Sequence, residues 1–327
     1  MTFATAERLR QIEFFDGTDP ERALFRDIPY RFAQQDINLA PEIREVARTY
    51  FERDGEKTIT WHTHANHALS SQVCCLNFLM PIARDRERVA RFISSALQID
   101  YPEVEIAEEV PSGTPWYIGF EWTGTQDYLN EQVGGRPVKR GSNSTSADAF
   151  VRFRHGNKRH AVLIEWKYTE SYGPALADKR RPDGTGGYDT RTRRYGNIAC
   201  APSGPIRGDL GLELEDFFWE PFYQLLRQQM LAHKMEEHGE ADVVRVLHLS
   251  PRGNLALHKV TAPTLRARGE DAFEVFRSLL VQPDRFVNRT IEDVFKPLLL
   301  ATDPSDPWRQ YLETRYRFLN VTEPERA

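Results

Sequence analysis

The stretch SADAFVRFRHGNKRHAVLIEWKY, residues 146–168, decides the fold of this 327-residue chain. Its first part, SADAFVRFRHG, alternates polar and apolar residues and ends in a turn at Gly156 and Asn157, as expected for a half-buried strand. The second part, AVLIEWKY, is almost continuously apolar, which is typical of a strand in the middle of a sheet. Because the connection is short, the two strands are predicted to form a hairpin.

Helical and strand patterns lie on both sides of this hairpin. Residues 1–55 are predicted to form short helices and loops. Further helices are predicted at 68–80, 83–97, 215–239, 270–280, 290–299 and 306–319, and further strands at 103–110, 116–122 and 241–250. This order predicts one α/β domain in which a mixed sheet is flanked by helices. Its parts are an N-terminal helical extension over 1–60, a core over 61–260 and a C-terminal helical extension over 261–327.

Three polar side chains stand out in the hairpin: Asp148, Glu165 and Lys167. Side chains alternate along a strand, so Glu165 and Lys167 project from one face and Trp166 from the other. If the strand that carries Asp148 pairs with the strand that carries Glu165, the two carboxylates can share a divalent cation. The backbone carbonyl of Trp166 is a candidate for a further ligand.

Such a group suits the hydrolysis of a phosphodiester bond. A metal ion polarises the phosphoryl oxygen and makes a bound water more acidic. A nearby lysine favours the deprotonated water and stabilises the developing negative charge. The alternative is structural: Glu165 forms a surface ion pair with Arg152 or Arg154 across the hairpin.

The centre of the chain is strongly basic. Between Arg136 and Arg194 there are fourteen Lys and Arg residues and six acidic residues, a net charge of +8, whereas the whole chain carries −5. This distribution predicts a polyanionic partner, although scattered solvated charges are the alternative.

Residues 168–214 hold eight glycines and four prolines and are predicted to be a long basic loop. The candidates for nucleic-acid contact are Lys179, Arg180, Arg181, Arg191, Arg193 and Arg194 from this loop, with Ser144 and Thr145 from the turn before Asp148.

The segments GSNSTSADAFVRF, AVLIEWKYTESY and FYQLLRQQMLA together resemble the PD-(D/E)xK nuclease superfamily, and within it a bacterial group of restriction endonucleases. The resemblance covers roughly residues 65–250. It implies a restriction-endonuclease-like αβββαβ core and a metal-dependent endonuclease that hydrolyses DNA, with Mg²⁺ as cofactor and Mn²⁺ able to substitute. By resemblance, Asp148 and Glu165 bind the metal, Lys167 is the catalytic lysine and Gln224 lies near the scissile phosphate.

The chain departs from the superfamily pattern at two places. Ala147 stands where a proline usually precedes the aspartate, and the predicted helix at 68–80 contains no acidic residue. Glu121 and Glu131 are therefore the alternatives for an additional metal-binding carboxylate. A homodimer is a further expectation, because cutting two strands with one site per chain requires two copies or two events.

Two other functions remain open from the sequence. The segment WHTHANH places His62, His64 and His67 in an H-x-H-x-x-H run that resembles the zinc ligands of metallo-β-lactamase-like hydrolases. The structural alternative for this run is a polar entry to the following helix, with Asn66 as its N-cap. The other function is a catalytically inactive member of the nuclease fold that only binds nucleic acid.

Composition excludes several classes of protein. No apolar run approaches the roughly 20 residues of a membrane span, so no membrane partner is expected. Three cysteines are too few for a four-cysteine iron–sulfur cluster or a disulfide framework. The N-terminal residues lack the apolar segment of a secretory signal. The expectation is a cytoplasmic protein.

Overall fold

The computed structural model describes residues 1–18, 23–53, 56–109, 113–132, 140–141, 144–173, 176 and 186–321. The helices are α1 Phe3–Thr18, α2 Arg44–Phe51, α3 Ser71–Leu79, α4 Arg86–Leu97, α5 Gly187–Ala199, α6 Phe222–Glu237, α7 Ala272–Leu279, α8 Ile291–Leu300 and α9 Pro307–Arg315. The strands are β1 Glu52–Arg53, β2 Glu56–Lys57, β3 Glu103–Glu105, β4 Glu108–Glu109, β5 Pro115–Trp116, β6 Gly119–Trp122, β7 Ala147–His155, β8 Lys158–Trp166, β9 Val243–Ser250 and β10 Phe286–Thr290. Within these described ranges, no helix is both long and apolar enough to cross a membrane.

A six-stranded mixed sheet forms the centre of the fold. Its strand order is β10-β9-β8-β7-β3, and β6 also pairs with β7. β8, β9 and β10 run parallel to one another, whereas β7 is antiparallel to β8, β3 and β6. The expected mixed sheet flanked by helices is confirmed, and it is consistent with a restriction-endonuclease-like fold.

The predicted hairpin is formed by β7 and β8. Phe150 pairs with Leu163, and the register continues to His155 opposite Lys158. Gly156 at the turn has a φ of 60°, a left-handed conformation that a residue without Cβ adopts at little cost. β8 lies between two other strands and is buried from its third residue onward, which explains its continuous apolar run.

Helices cover both faces of the sheet. Val162, Ile164 and Trp166 of β8 point into one core, to which α2, α3, α4, α8 and α9 contribute. Ala161 and Leu163 point into the other core, which α5, α6 and α7 complete. Because the side chains alternate, Glu165 projects from the same face as Leu163, towards α6.

Most helix boundaries follow their sequence signals. Thr290 accepts a hydrogen bond from the amide of Asp293 and caps α8, as its sequence pattern predicts. The expected N-cap of α3 is wrong. Ser70, not Asn66, caps this helix, because the Ser70 hydroxyl accepts from the amide of Val73.

Several elements differ from the sequence-based expectation, among them α5, α1 and β10. Within the predicted loop 168–214, residues Gly187–Ala199 form α5, which buries only Tyr195, Ile198 and Ala199 and so shows no strong helical pattern. α1 is a single helix of 16 residues where short helices were expected, because part of its buried surface is polar. β10 is a short additional strand whose residues are mostly half-buried.

Candidate active site

Asp148 and Glu165 lie on neighbouring strands, as the hairpin predicts. Ala149 pairs with Ile164, so Asp148 stands across from Glu165 in the β7–β8 register, and cross-strand neighbours project from the same face. The backbone amide of Trp166 donates to Oδ2 of Asp148 at 2.7 Å. In the described part of the chain, Oδ1 of Asp148 accepts no hydrogen bond, which leaves this oxygen for a ligand.

Glu165 is the most heavily bonded side chain of the site. Nζ of Lys167 donates to its Oε1 at 2.5 Å, and both side chains are buried. Nε2 of Gln224 donates to the same oxygen at 2.6 Å, and Nε2 of Gln228 donates to Oε2 at 3.0 Å. Three donors therefore fix the orientation of one carboxylate.

The sequence did not identify Gln228. Gln224 and Gln228 are four residues apart on α6, so they share the helix face that packs on the sheet. Gln228 also donates to the backbone carbonyl of Ser146 at 2.7 Å, two residues before Asp148. The four-residue spacing could have indicated Gln228 from the sequence, because a residue four positions after Gln224 lies on the same face of the helix.

The charges at the site favour a bound cation. Burial raises the pKa of Asp148 well above its usual range, and the charge of Glu165 raises it further. Burial disfavours the charged form of Lys167, but the combined negative charges of Glu165, Asp148 and the neighbouring acids outweigh this effect and hold the lysine pKa well above its usual range. When both carboxylates are ionised, they and the one ammonium carry a net negative charge, which a divalent cation would neutralise.

Of the two candidates for an additional carboxylate, Glu121 lies near this pair. It is buried, its Oε1 accepts from Nε2 of Gln72 at 2.6 Å, and its charge contributes to the raised pKa of Asp148. Its φ of 51° lies in the left-handed region, which is costly for a residue with a side chain. A strained, buried acid held by specific contacts is typical of a functional site.

Glu131 belongs to a separate cluster. Its carboxylate accepts hydrogen bonds from the hydroxyls of Thr145 and Tyr195, at 2.8 and 2.6 Å, and pairs with Arg227 at 3.2 Å. It also accepts from the backbone amide of Thr145. Glu131 therefore holds the turn that leads into β7 and does not join Asp148 and Glu165.

A family model described as "Restriction Endonuclease associating with ARP" matches residues 24–317. The chain belongs to this restriction endonuclease family. The match supports a nuclease-type function and confirms the resemblance to restriction endonucleases. No curated protein and no solved structure matches the chain significantly.

The residues that the sequence predicts to contact nucleic acid lie in different environments. Thr145 is buried and its hydroxyl already bonds to Glu131 and Arg227, which leaves it less available to a phosphate. Ser144 is half-buried. Arg193 is exposed on α5.

The neighbouring arginines of α5 have internal partners. The guanidinium of Arg191 lies 5.4 Å from the ring centroids of both Phe218 and Tyr223. Arg194 donates to the carbonyl of Glu131 at 3.4 Å. The remaining predicted contacts lie outside the described residues: Lys179, Arg180 and Arg181.

The three histidines of the predicted zinc site do not converge. Nε2 of His62 lies 3.5 Å from Glu121, Nδ1 of His64 contacts Arg31 at 3.3 Å, and Nδ1 of His67 accepts from the amide of Leu69 at 3.1 Å. Among the described residues, no group of three or more His, Cys, Asp or Glu side chains could hold a metal ion. The zinc hypothesis based on this run is therefore wrong.

Proposed function

We propose that this protein is a metal-dependent endonuclease that hydrolyses phosphodiester bonds in DNA. The observation that carries the proposal is the arrangement of Asp148, Glu165 and Lys167 at adjacent positions of β7 and β8, with Lys167 bonded to Glu165 at 2.5 Å. The family match supports the nuclease class. The basic centre of the chain supports a polyanionic substrate.

Mg²⁺ suits this set of donors, and Mn²⁺ would substitute. Mg²⁺ is usually held by one or two carboxylates, with waters and substrate phosphates filling the other positions. Asp148 and Glu165 would supply the carboxylates, and the backbone carbonyl of Trp166 is a further candidate. Glu121 would act from beside the pair, through its charge. When bound, the ion would polarise the phosphoryl oxygen and acidify a coordinated water.

The other side chains have positioning roles. Lys167, held by Glu165, would present its remaining N–H groups to the attacking water or to a phosphoryl oxygen, where negative charge develops. Gln224 and Gln228 would keep the Glu165 carboxylate in one orientation, so that its ligand geometry is set before the substrate arrives.

A cleavage assay tests this proposal. Plasmid and linear DNA are incubated with Mg²⁺ or Mn²⁺ and with the wild type, Asp148→Asn or Lys167→Ala. We expect both variants to lose cleavage, whereas Asp209→Asn, a substitution at an exposed acid paired with Arg207, keeps it. Equal cleavage by all four proteins would overturn the assignment, because another site or a contaminating nuclease would then be responsible.

One observation favours a second function, a nucleic-acid-binding module without catalysis. Both carboxylate oxygens of Glu165 already accept hydrogen bonds, which leaves fewer lone pairs for a metal. The cleavage assay, together with a measurement of DNA binding, separates the two functions. Salt-dependent DNA binding without any cleavage in Mg²⁺ or Mn²⁺ would favour the binding module.

A further inference from the structure

A cavity of ≈ 900 Å³ opens beside the candidate active site. It lies between α1, the segment 60–71 and the residues that follow Lys167, of which Thr169 lines its wall. His62 connects it to the site, because this side chain lines the cavity and contacts Glu121 at 3.5 Å. The metal-binding acids and the cavity are therefore neighbours.

The lining of the cavity favours an anion. Arg8 lines it, and its guanidinium packs over the ring of Tyr30 at 5.1 Å. Arg31 contacts His64 on the same side, and its buried Nε has no hydrogen-bond partner. Within the described ranges, neither arginine forms an ion pair with a carboxylate. Two cations that form no ion pair with a described carboxylate, beside a cavity, favour a negatively charged ligand.

One acidic residue, Glu170, is found among the lining side chains of the described chain. Its Oε2 accepts a hydrogen bond from the backbone amide of Tyr168 at 2.7 Å, so part of its charge is directed into the protein. Hydroxyl groups line the cavity as well, including those of Thr63 and Ser71. These groups can donate to phosphate oxygens.

The cavity also offers an aromatic surface. Trp61 stacks on Phe51 with their ring centroids 4.0 Å apart and an interplanar angle of 17°, and the indole remains half-buried on the cavity wall. Nucleobases stack on such rings without regard to sequence. Cations, hydroxyls and an indole together match the phosphate, sugar and base of a nucleotide.

The volume of the cavity suits an unpaired nucleotide better than a DNA duplex. Pockets of roughly 300–1,000 Å³ hold one small organic ligand, which is the scale of a nucleotide. A DNA duplex is too wide to enter a cavity of ≈ 900 Å³. We propose that this cavity, bounded by Arg8, Trp61, His64 and Thr169, is a subsite that binds one or two unpaired nucleotides of the strand being cut. The proposal rests on the proposed nuclease function, which locates the scissile phosphate at Asp148.

Binding of labelled oligonucleotides to the full chain tests the subsite. The assay contains EDTA, so that no result depends on cleavage. The probes are a fluorescein-labelled single-stranded 12-mer, the blunt duplex of the same sequence and a duplex with a two-nucleotide unpaired gap. We expect the first and third probes to bind about tenfold more tightly than the blunt duplex.

Two variants and a matched control locate the binding. Arg8→Glu is expected to weaken binding of the single strand about tenfold and to reduce the slope of log K against log salt by about 0.7 for each phosphate that the protein no longer neutralises. Ala4→Trp, which places an indole in the cavity, should weaken the same binding. Arg266→Glu makes the same change in net charge on an exposed side chain outside the cavity lining and should leave the affinity unchanged.

Two outcomes would overturn the subsite: a blunt duplex that binds as tightly as the single strand, or an Arg8→Glu affinity equal to that of Arg266→Glu. The proposed function fails separately. If the single strand binds as expected but no metal supports cleavage, the subsite stands and the nuclease assignment is wrong. If the protein cleaves DNA but Arg8→Glu and Ala4→Trp bind single-stranded DNA like the wild type, the nuclease assignment stands and the subsite is wrong.

Discussion

Replacing Lys167 by methionine should destabilise the protein as well as inactivate it. Lys167 is the ammonium that contacts Glu165, and Glu165 is only 2% exposed. Removing one partner of a buried ion pair typically costs about 3–5 kcal/mol, because the other charge stays buried without compensation. Gln224 and Gln228 still donate to Glu165, so we expect the lower end, about 3 kcal/mol.

Urea unfolding, followed by the fluorescence of the six tryptophans, measures this loss. The double variant Lys167→Met/Glu165→Gln removes both charges and should recover a large part of it. Lys234→Met is the matched control, because Lys234 pairs with Glu237 on the more exposed side of α6 and should cost less than about 1 kcal/mol. If Lys167→Met costs no more than Lys234→Met, or if the double variant is no more stable than the single one, Lys167 and Glu165 do not form a buried ion pair.

Other buried groups lead to three further predictions. Because Glu121 has a φ of 51°, Glu121→Gly should be more stable than Glu121→Ala by about 1 kcal/mol, measured by urea unfolding. Burial lowers the pKa of His248 to about 3, so the protein loses stability as the pH falls below the unfolded value of about 6.5; between pH 7 and pH 5 the wild type should lose about 2 kcal/mol more than His248→Leu in unfolding titrations. Gln228→Leu removes a donor to Glu165 and should lower both the free energy of unfolding, by about 1–2 kcal/mol, and the rate of DNA cleavage.

Each of these predictions can be contradicted by a simple result. Equal stability of Glu121→Gly and Glu121→Ala would mean that the backbone at residue 121 is not in a left-handed conformation. Parallel pH profiles for the wild type and His248→Leu would mean that the imidazole takes up its proton in the folded state at an ordinary pH. Unchanged cleavage by Gln228→Leu would show that the orientation of Glu165 does not depend on this amide.

The sequence by itself determined the hairpin and the relation between Asp148, Glu165 and Lys167. These features depend on short-range rules: a tight turn at Gly156 sets the register of two adjoining strands, and the period of two sets which side chains share a face. The family resemblance then gave this local arrangement a chemical meaning, and the family match agrees with it.

Only the tertiary structure decided which distant groups surround that hairpin. Tyr168, next to Lys167, donates to Glu7 of α1 and accepts from Gln11, while Arg315 of α9 donates to Gln11. The N- and C-terminal helices are thus joined to the strand that carries the candidate catalytic lysine by buried polar contacts.

Such contacts leave no apolar periodicity in the sequence. Glu7 and Gln11 are polar yet fully buried, and Glu121, 27 residues before Asp148 in the sequence, comes near Asp148 only because β6 pairs with β7. Hydrophobic pattern predicts which residues avoid water, but a buried polar group is stable only when its partners are in place, and those partners are chosen by the fold as a whole.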